Sequence, residues 1–348
     1  MPRVCKVTIN AETIYANCGD VLLDAALMNG IELPHDCRSG YCDTCRVRVV
    51  AGRCLGDAPG DGQVVHACQT RVISDLRVVV EKTPRAAETT GTVIGIAEIA
   101  SGVFEIRIEP SRPLNYLPGQ YLSLQFRGYP SRCYSPTRPL DWPSDPDLLR
   151  FHVRRLPNGR VSSALGQKIQ SGHRVKLTGP FGSAYFRPRH RGRCVLISSG
   201  TGFAPIWAIA EAAIRENPRR NLVMVAGARD LDSLYMIPAL CRIALFPGVV
   251  IVPTVSTRQQ ITPAVRHGEP ISYLPPLSKG DVIYAAGGPA TVETTQRVAE
   301  VAGATCFTDP FLPAVDQNGS ETLLSRAVKW VAPPVRDRPR PAVLVQRQ

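Results

Sequence analysis

Cys37, Cys42, Cys45 and Cys68 are the side chains of this 348-residue chain whose type and spacing point most directly to chemistry. The first three follow a Cys-x4-Cys-x2-Cys spacing, and 22 residues separate the third from the fourth. Four thiolates so spaced can hold two irons and two bridging sulfides. Zinc is the competing reading, but zinc ribbons carry two separate Cys-x2-Cys pairs. The loop Arg38-Ser39-Gly40-Tyr41 must wrap the cluster and aim backbone N–H groups at its sulfurs, and glycine suits a loop that needs positive φ. The four cysteines complete a ligand set, so His35 and His66 read as packing or solvent-edge residues. A second stretch, Ser198-Ser199-Gly200-Thr201-Gly202-Phe203-Ala204-Pro205, follows the apolar run Val195-Leu196-Ile197 and opens a helical one. Glycines in that strand–turn–helix context let backbone amides approach a pyrophosphate at a helix N-terminus.

These residues need elements to hold them, and three changes of texture divide the chain. Val4 to Ile9 alternates like a strand. Asp20 to Leu27 is apolar at helical spacing, with Asp20 as N-cap and Gly30 as stop. Strands near 45–51 and 75–80 complete a small mixed α/β unit, and residues 82–88 read as a linker. Short strand-like runs follow at Gly91–Ile99, Val103–Ile108, Tyr121–Phe126, Leu149–Val153 and Arg174–Leu177, which predicts an antiparallel barrel. From Arg193 the texture becomes apolar run, glycine turn and helix (Ala204–Arg215), repeating at Asn221–Ala226, Val249–Val255 and Asp281–Ala286. That predicts a parallel α/β sheet. The expected division is 1–84, 88–187, 190–313 and a Pro/Arg-rich tail, 314–348, with a short amphipathic helix at Glu321–Val331.

Composition excludes several classes. An apolar share of 44% with 20% charged residues is ordinary for a globular chain. No run of about 18 apolar residues suggests a membrane span, and the N-terminus shows no export signal, so a cytoplasmic location is expected. Eleven cysteines is an odd number and argues against a disulfide framework. The net charge of +12 comes from residues beyond 85, because the first 85 hold ten basic and ten acidic side chains. Its arginines are scattered singly, which fits nucleotide phosphates rather than nucleic acid.

The N-terminal segment resembles a plant-type ferredoxin of β-grasp fold, set ahead of a ferredoxin–NADP-reductase-like module. The whole, to about residue 313, is similar to the reductase components of bacterial aromatic-ring oxygenases. On that resemblance Arg132-Cys133-Tyr134-Ser135 matches the family's R-x-Y-S flavin signature. Arg132 is implied to grip phosphate with a bidentate fork, Tyr134 to offer a ring face, and Ser135 to hydrogen-bond near the hydride-accepting N5. Phe151-His152-Val153-Arg154 and Gly159-Arg160-Val161-Ser162 resemble the second flavin segment. There backbone groups of His152–Arg154 reach the ring, and the amides of Val161 and Ser162 bind phosphate at a helix N-terminus. A ferredoxin at the N-terminus implies FAD rather than FMN. Gly200, Thr201, Gly202 and Pro205 are implied to bind the nicotinamide nucleotide, although Ser199 stands where relatives usually have glycine. After the next strand, Arg229 would suit a 2′-phosphate and Asp230 or Asp232 a free 2′-hydroxyl. These signals conflict, and NADH is favoured with NADPH as the alternative. Ala286-Gly287-Gly288-Pro289 aligns with the family's C-G-x-P turn, its cysteine replaced by Ala286, which predicts modest turnover. Cys306-Phe307-Thr308-Asp309-Pro310-Phe311 resembles the family's C-terminal segment, which implies an aromatic ring stacked on the flavin: Phe311, or failing it Phe307.

The resemblance therefore implies a multi-domain chain of β-grasp ferredoxin, flavin-binding barrel and parallel nucleotide-binding sheet. It implies an oxidoreductase moving hydride from NAD(P)H to FAD and single electrons through [2Fe–2S]. The implied acceptor is a terminal oxygenase, Rieske-type in preference, or its ferredoxin. A di-iron monooxygenase or a sugar-deoxygenating enzyme are the alternative acceptors, and a redox-sensing regulatory module is the remaining reading. The tail's arginines and prolines read as a solvated extension, with an oxygenase-docking segment as the alternative.

Overall fold

The computed structural model describes residues 3–40, 42–56, 64–140, 148–257 and 262–312. Tyr41, the tail 314–348 and its expected helix lie outside the described residues.

The alternation at the N-terminus forms strand β1 (Val4–Ile9), with Cys5, Val7 and Ile9 buried. It pairs antiparallel with β2 (Glu12–Asn17), and helix α1 (Leu22–Met28) then lays Leu22, Leu23, Ala25 and Ala26 over the sheet. Leu22 and Leu23 are almost fully buried, each worth about 1.5–3 kcal/mol of transfer free energy. Asp20 does not cap this helix. Its carboxylate accepts the Asn17 N–H (2.8 Å) in the turn after β2, and Val21 precedes α1 without a side-chain bond. β3 (Arg46–Leu55), β4 (Val64–His66) and β5 (Arg71–Val79) complete a sheet of order β2-β1-β5-β3-β4. Only β1 and β5 run parallel within it. A mixed sheet under one helix is the expected β-grasp.

The middle segment supplies β6 (Ala87–Ala100), β7 (Val103–Pro110), β8 (Tyr121–Phe126), β9 (Arg132–Tyr134), β10 (Leu149–Arg154) and β11 (Arg174–Phe181). All pairs are antiparallel in the order β10-β7-β6-β11-β8-β9. The Thr137 N–H donates to the Arg150 carbonyl (2.9 Å), drawing the two edges together into a nearly closed barrel. Phe151 and Val153 point into its core with Ile106, Leu122 and Phe126, so His152 and Arg154 point outward. β6 begins at Ala87, inside the stretch expected as linker, because pairing with β11 from Ala87↔Gly179 onward overrides a weak local pattern.

The last segment runs β12 (Cys194–Ser199), α2 (Phe203–Glu216), β13 (Leu222–Ala228), α3 (Ile237–Ile243), β14 (Val249–Val255), β15 (Arg266–His267), β16 (Val282–Gly287), α4 (Pro289–Ala302) and β17 (Thr305–Pro310). The sheet is wholly parallel, in the order β15-β14-β13-β12-β16-β17. The chain winds outward from β12, then crosses back to place β16 on its other side. That reversal opens a crevice at the carboxyl ends of β12 and β16, where such sheets bind ligands. Helix α2 is apolar on nearly all sides because it packs on the sheet and on the barrel alike. The Thr137 hydroxyl donates to the Ala204 carbonyl (2.8 Å), and the Trp207 indole to that of Pro139 (3.1 Å). Among the described residues no helix is long and apolar enough to cross a membrane.

Candidate functional site

The cysteine loop joins α1 to β3. Cys37 is exposed, Cys42 half-buried, and Cys45 and Cys68 are buried in the β-grasp core. The Cys45 and Cys68 sulfurs lie 3.3 Å apart. The Ser39 and Cys42 amides donate to the Cys37 sulfur at 3.4 Å each. Burial raises the Cys37 thiol, but these hydrogen bonds outweigh it and hold the pKa at about 7. Burial pushes the Cys45 thiol up instead. Two buried sulfurs in contact bind as thiolates only beside a positive charge, which a metal centre supplies. Among the described residues no three His, Cys, Asp or Glu side chains converge as a single-ion site requires. The sulfurs fall into pairs, Cys37 with Cys42 and Cys45 with Cys68, and the residues fit a two-iron group. Gly40 takes φ +82°, as the wrapping loop demands. Of the two nearby histidines, His35 Nδ1 meets the Leu33 carbonyl (2.9 Å) and His66 Nε2 meets Asp43 (2.5 Å).

β9 carries Arg132 and Tyr134 along the barrel edge, paired to β8, and the chain turns inward at Ser135. The Arg132 guanidinium donates to the Ser131 carbonyl (2.8 Å). The Ser135 hydroxyl donates to Asp309 (3.0 Å), a residue 174 positions away on β17. Burial raises the Asp309 carboxyl; the Ser135 bond opposes this, the Asp43 charge adds to it, and the pKa comes to about 6. On the outward face of β10, the His152 ring is buried edge-on against Tyr235 (5.1 Å), and burial lowers its pKa. A methyl group on Gly200 would meet the Arg154 guanidinium at 3.4 Å, so this side chain reaches from barrel strand to nucleotide turn. The helix expected at Val161–Ser162 is instead a three-residue 3-10 turn, Ser162–Ala164. The Ser162 hydroxyl accepts the Leu156 N–H (3.1 Å), and a side chain on Gly159 would strike it at 2.2 Å. Phosphate there would meet backbone amides without a helix dipole.

At the crevice, Gly200–Gly202 form a 3-10 turn leading into α2, with Pro205 buried in its first turn. A Cβ on Gly202 would come within 2.2 Å of the Ala286 carbonyl, so only glycine lets the two turns approach. The Ser199 hydroxyl accepts the Gly288 N–H (2.8 Å), fastening the β12 turn to the one that starts α4 at Pro289. The Phe311 N–H donates to the Gly287 carbonyl (2.8 Å). Phe307 stacks on Tyr284 (5.5 Å), under the guanidinium of Arg187 (3.6 Å). At the end of β13, Asp230 accepts the Arg229 guanidinium (2.9 Å) and the Ser233 amide (2.9 Å) and hydroxyl. The Ser233 hydroxyl and Arg229 hold Asp230 below the usual carboxylate range.

The cysteine loop also meets the rest of the chain. The Tyr121 hydroxyl donates to Asp36 (2.5 Å), the Gly182 N–H to Thr44 (2.9 Å) and the Thr308 hydroxyl to Asp43 (3.3 Å). Glu81 receives both Arg187, at 2.6–3.2 Å, and the Tyr185 hydroxyl. Sequence reasoning missed Asp43, Glu81, Arg187 and the Ser135–Asp309 pair. A hint lay in Thr308-Asp309-Pro310-Phe311, whose acid sits beside the expected aromatic.

Three family profiles match in the order of the sheets: a 2Fe-2S iron-sulfur cluster binding domain over residues 5–72, an oxidoreductase FAD-binding domain over 97–186 and an oxidoreductase NAD-binding domain over 196–296. The ferredoxin–NAD(P)+ reductase component of the naphthalene 1,2-dioxygenase/salicylate 5-hydroxylase systems of Ralstonia sp is 31% identical over 301 residues, 82% of this chain and 89% of that one. The naphthalene 1,2-dioxygenase system reductase component of Pseudomonas putida is 28% identical over 326 residues, 87% and 97% of the two chains. Among solved structures, an Amycolatopsis cytochrome P450 reductase superposes with TM-score 0.67 at 29% identity, covering 89% of this chain and all of that one. Fold and site thus define an iron–sulfur flavoprotein oxidoreductase with binding domains for [2Fe–2S], FAD and NAD. The chain belongs to the family of ferredoxin–NAD(P)+ reductase components.

Proposed function

We propose that this chain takes electron pairs from NADH and delivers them singly, by way of its [2Fe–2S] centre, to a terminal oxygenase of aromatic-compound degradation or that oxygenase's ferredoxin. One observation carries the reading. Consecutive residues of β17, Thr308 and Asp309, touch the cysteine loop and the Ser135 hydroxyl respectively, so the cluster loop and the flavin segment share one strand. The flavin, when bound, supplies the conversion from electron pairs to single electrons.

The chain's own residues bind and orient. Arg132 and the amides of Val161 and Ser162, beside Gly159, hold the flavin phosphates; Tyr134 and the backbone of His152, Val153 and Arg154 flank its ring. Ser135, oriented by Asp309, hydrogen-bonds at the hydride-accepting edge. Phe311 is the stacking ring, because Phe307 is engaged with Tyr284 and Arg187. Gly200, Thr201, Gly202 and Pro205, with Gly287 and Pro289 opposite, cradle the nicotinamide nucleotide. The Asp230–Arg229 pair favours NADH, since the guanidinium a 2′-phosphate would seek is already neutralised. Domain bounds of 1–84, 88–187 and 190–313 and a cytoplasmic location complete the reading. Relatives named for naphthalene dioxygenase systems point to an aromatic-ring oxygenase as acceptor, with Rieske-type iron preferred.

Anaerobic absorbance titration of the purified holoprotein with NADH, then NADPH, tests this. Flavin and iron–sulfur bands should both bleach by about one and a half equivalents of NADH, enough for three electrons. Loss of the flavin bands alone would reduce the protein to a simple flavin reductase.

A further inference from the structure

Asp43 stands between Cys42 and Cys45, and its backbone takes φ +56°, a left-handed conformation that costs a non-glycine residue about 1–2 kcal/mol. Such a conformation persists only where surrounding contacts over-determine it. Here they do. One carboxylate oxygen meets His66 Nε2 (2.5 Å); the other meets the Arg46 guanidinium (3.3 Å) and accepts the Thr308 hydroxyl (3.3 Å). His66 and Arg46 belong to the β-grasp sheet, whereas Thr308 belongs to β17. Arg46 also reaches over the Phe307 ring (5.6 Å), one residue before Thr308. Among the described hydrogen bonds, Asp43 to Thr308 is the one that ties the cysteine loop to β17. The next residue along, Asp309, orients Ser135.

We propose that Asp43 is a positioning residue for electron delivery to the cluster: by tying the cysteine loop to Thr308 it sets the placement of the cluster against the flavin segment, and so the rate of the flavin-to-cluster step. In that step one electron leaves the reduced flavin and enters the cluster. Both electrons come from NADH, and no other reductant is needed. The inference rests on the function proposed above.

Thr308→Val deletes the hydroxyl from the side remote from the cysteines, and Thr308→Ser retains it. Each holoprotein is mixed anaerobically with NADH in a stopped-flow instrument, with flavin and cluster bands followed separately. Flavin bleaching should stay within twofold of wild type in both. Cluster bleaching should slow at least fivefold in Thr308→Val and return to within twofold in Thr308→Ser. The electron paramagnetic resonance spectrum of the dithionite-reduced cluster should be unchanged, while trypsin cleavage at Lys82 and Arg85 should accelerate at least threefold in Thr308→Val alone. Adding Thr308→Val to Asp43→Ala should slow the cluster no further, and if Asp43→Ala loses the cluster signal the Thr308 pair decides. Wild-type cluster bleaching in Thr308→Val, or equal slowing in Thr308→Ser, would overturn the inference. Failure of NADH to bleach either band of the wild-type protein would overturn the underlying function instead.

Discussion

Replacing Asp309 with asparagine removes a carboxyl that burial has turned into a weak acid, while keeping an oxygen for the Ser135 hydroxyl to donate to. The ordinary value is 3.8 and the folded value about 6. At about 1.4 kcal/mol per pKa unit, that gap amounts to roughly 3 kcal/mol. A carboxyl whose folded-state pKa lies above its unfolded value favours the folded state when protonated. The wild-type protein therefore loses stability as pH rises from about 4 to about 6, and above that the loss is complete. A neutral amide at this position carries no such penalty, so Asp309→Asn should be more stable at pH 8, by at most about 3 kcal/mol, and by about half as much at pH 5. For a unit of 312 residues, at about 2.1 cal/mol/K of unfolding entropy per residue, the pH 8 gain corresponds to a rise in Tm of at most about 5 °C. The measurement is thermal release of flavin fluorescence at a fixed scan rate, wild type against variant, at both pH values. The difference between the two proteins cancels every other titration they share. A gain equal at pH 5 and pH 8, or a loss at pH 8, would refute the assignment of a buried, proton-retaining acid.

Cys68→Ser should abolish the iron–sulfur absorbance and cut cytochrome c reduction at least tenfold, with NADH still bleaching the flavin within twofold of the wild-type rate. Gly202→Ala should raise the KM for NADH at least tenfold and cost roughly 1–3 kcal/mol of stability, because its methyl group would sit 2.2 Å from the Ala286 carbonyl; nucleotide titration and Tm read these separately. Asp230→Ala frees Arg229 and should raise the ratio of kcat/KM for NADPH over NADH at least tenfold, about 1.4 kcal/mol; an unchanged ratio would place the ribose elsewhere.

What the sequence revealed was local, and what it hid was long-range. The cysteine spacing and the Gly-x-Gly turn are readable because loop length and backbone freedom decide them within a few residues. Four strands of the parallel sheet, β12, β13, β14 and β16, were equally plain because they read as unbroken apolar runs; β15 and β17 at its edges, short or polar, were not read as strands. Asp20 misled because a residue type suited to capping a helix is equally suited to closing the turn before it. The helix expected at Val161 failed for a similar reason: a glycine followed by serines suits a 3-10 turn as well as a helix start. β9 is too short for any period to emerge in three residues. Asp309 and Asp43 could not be found, because their partners lie 174 and 265 positions away. Ser199, read as a departure from the usual glycine, proves to hold the Gly288 amide.

The tie between Asp43 and Thr308 also bears on how the protein comes into being. Translation proceeds from the N-terminus, so the β-grasp module emerges and can collapse on its own core well before residues 305–310 leave the ribosome. Its docking strand is the last element of the third sheet. Until β17 has paired with β16, the cysteine loop lacks that anchor, and a nascent chain stalled before Thr305 would hold its ferredoxin by bonds to residues that have already emerged, Tyr121 to Asp36 and Gly182 to Thr44 among them. The tie to the cysteine loop and the carboxylate that orients Ser135 thus arrive together, with the strand that completes the third sheet.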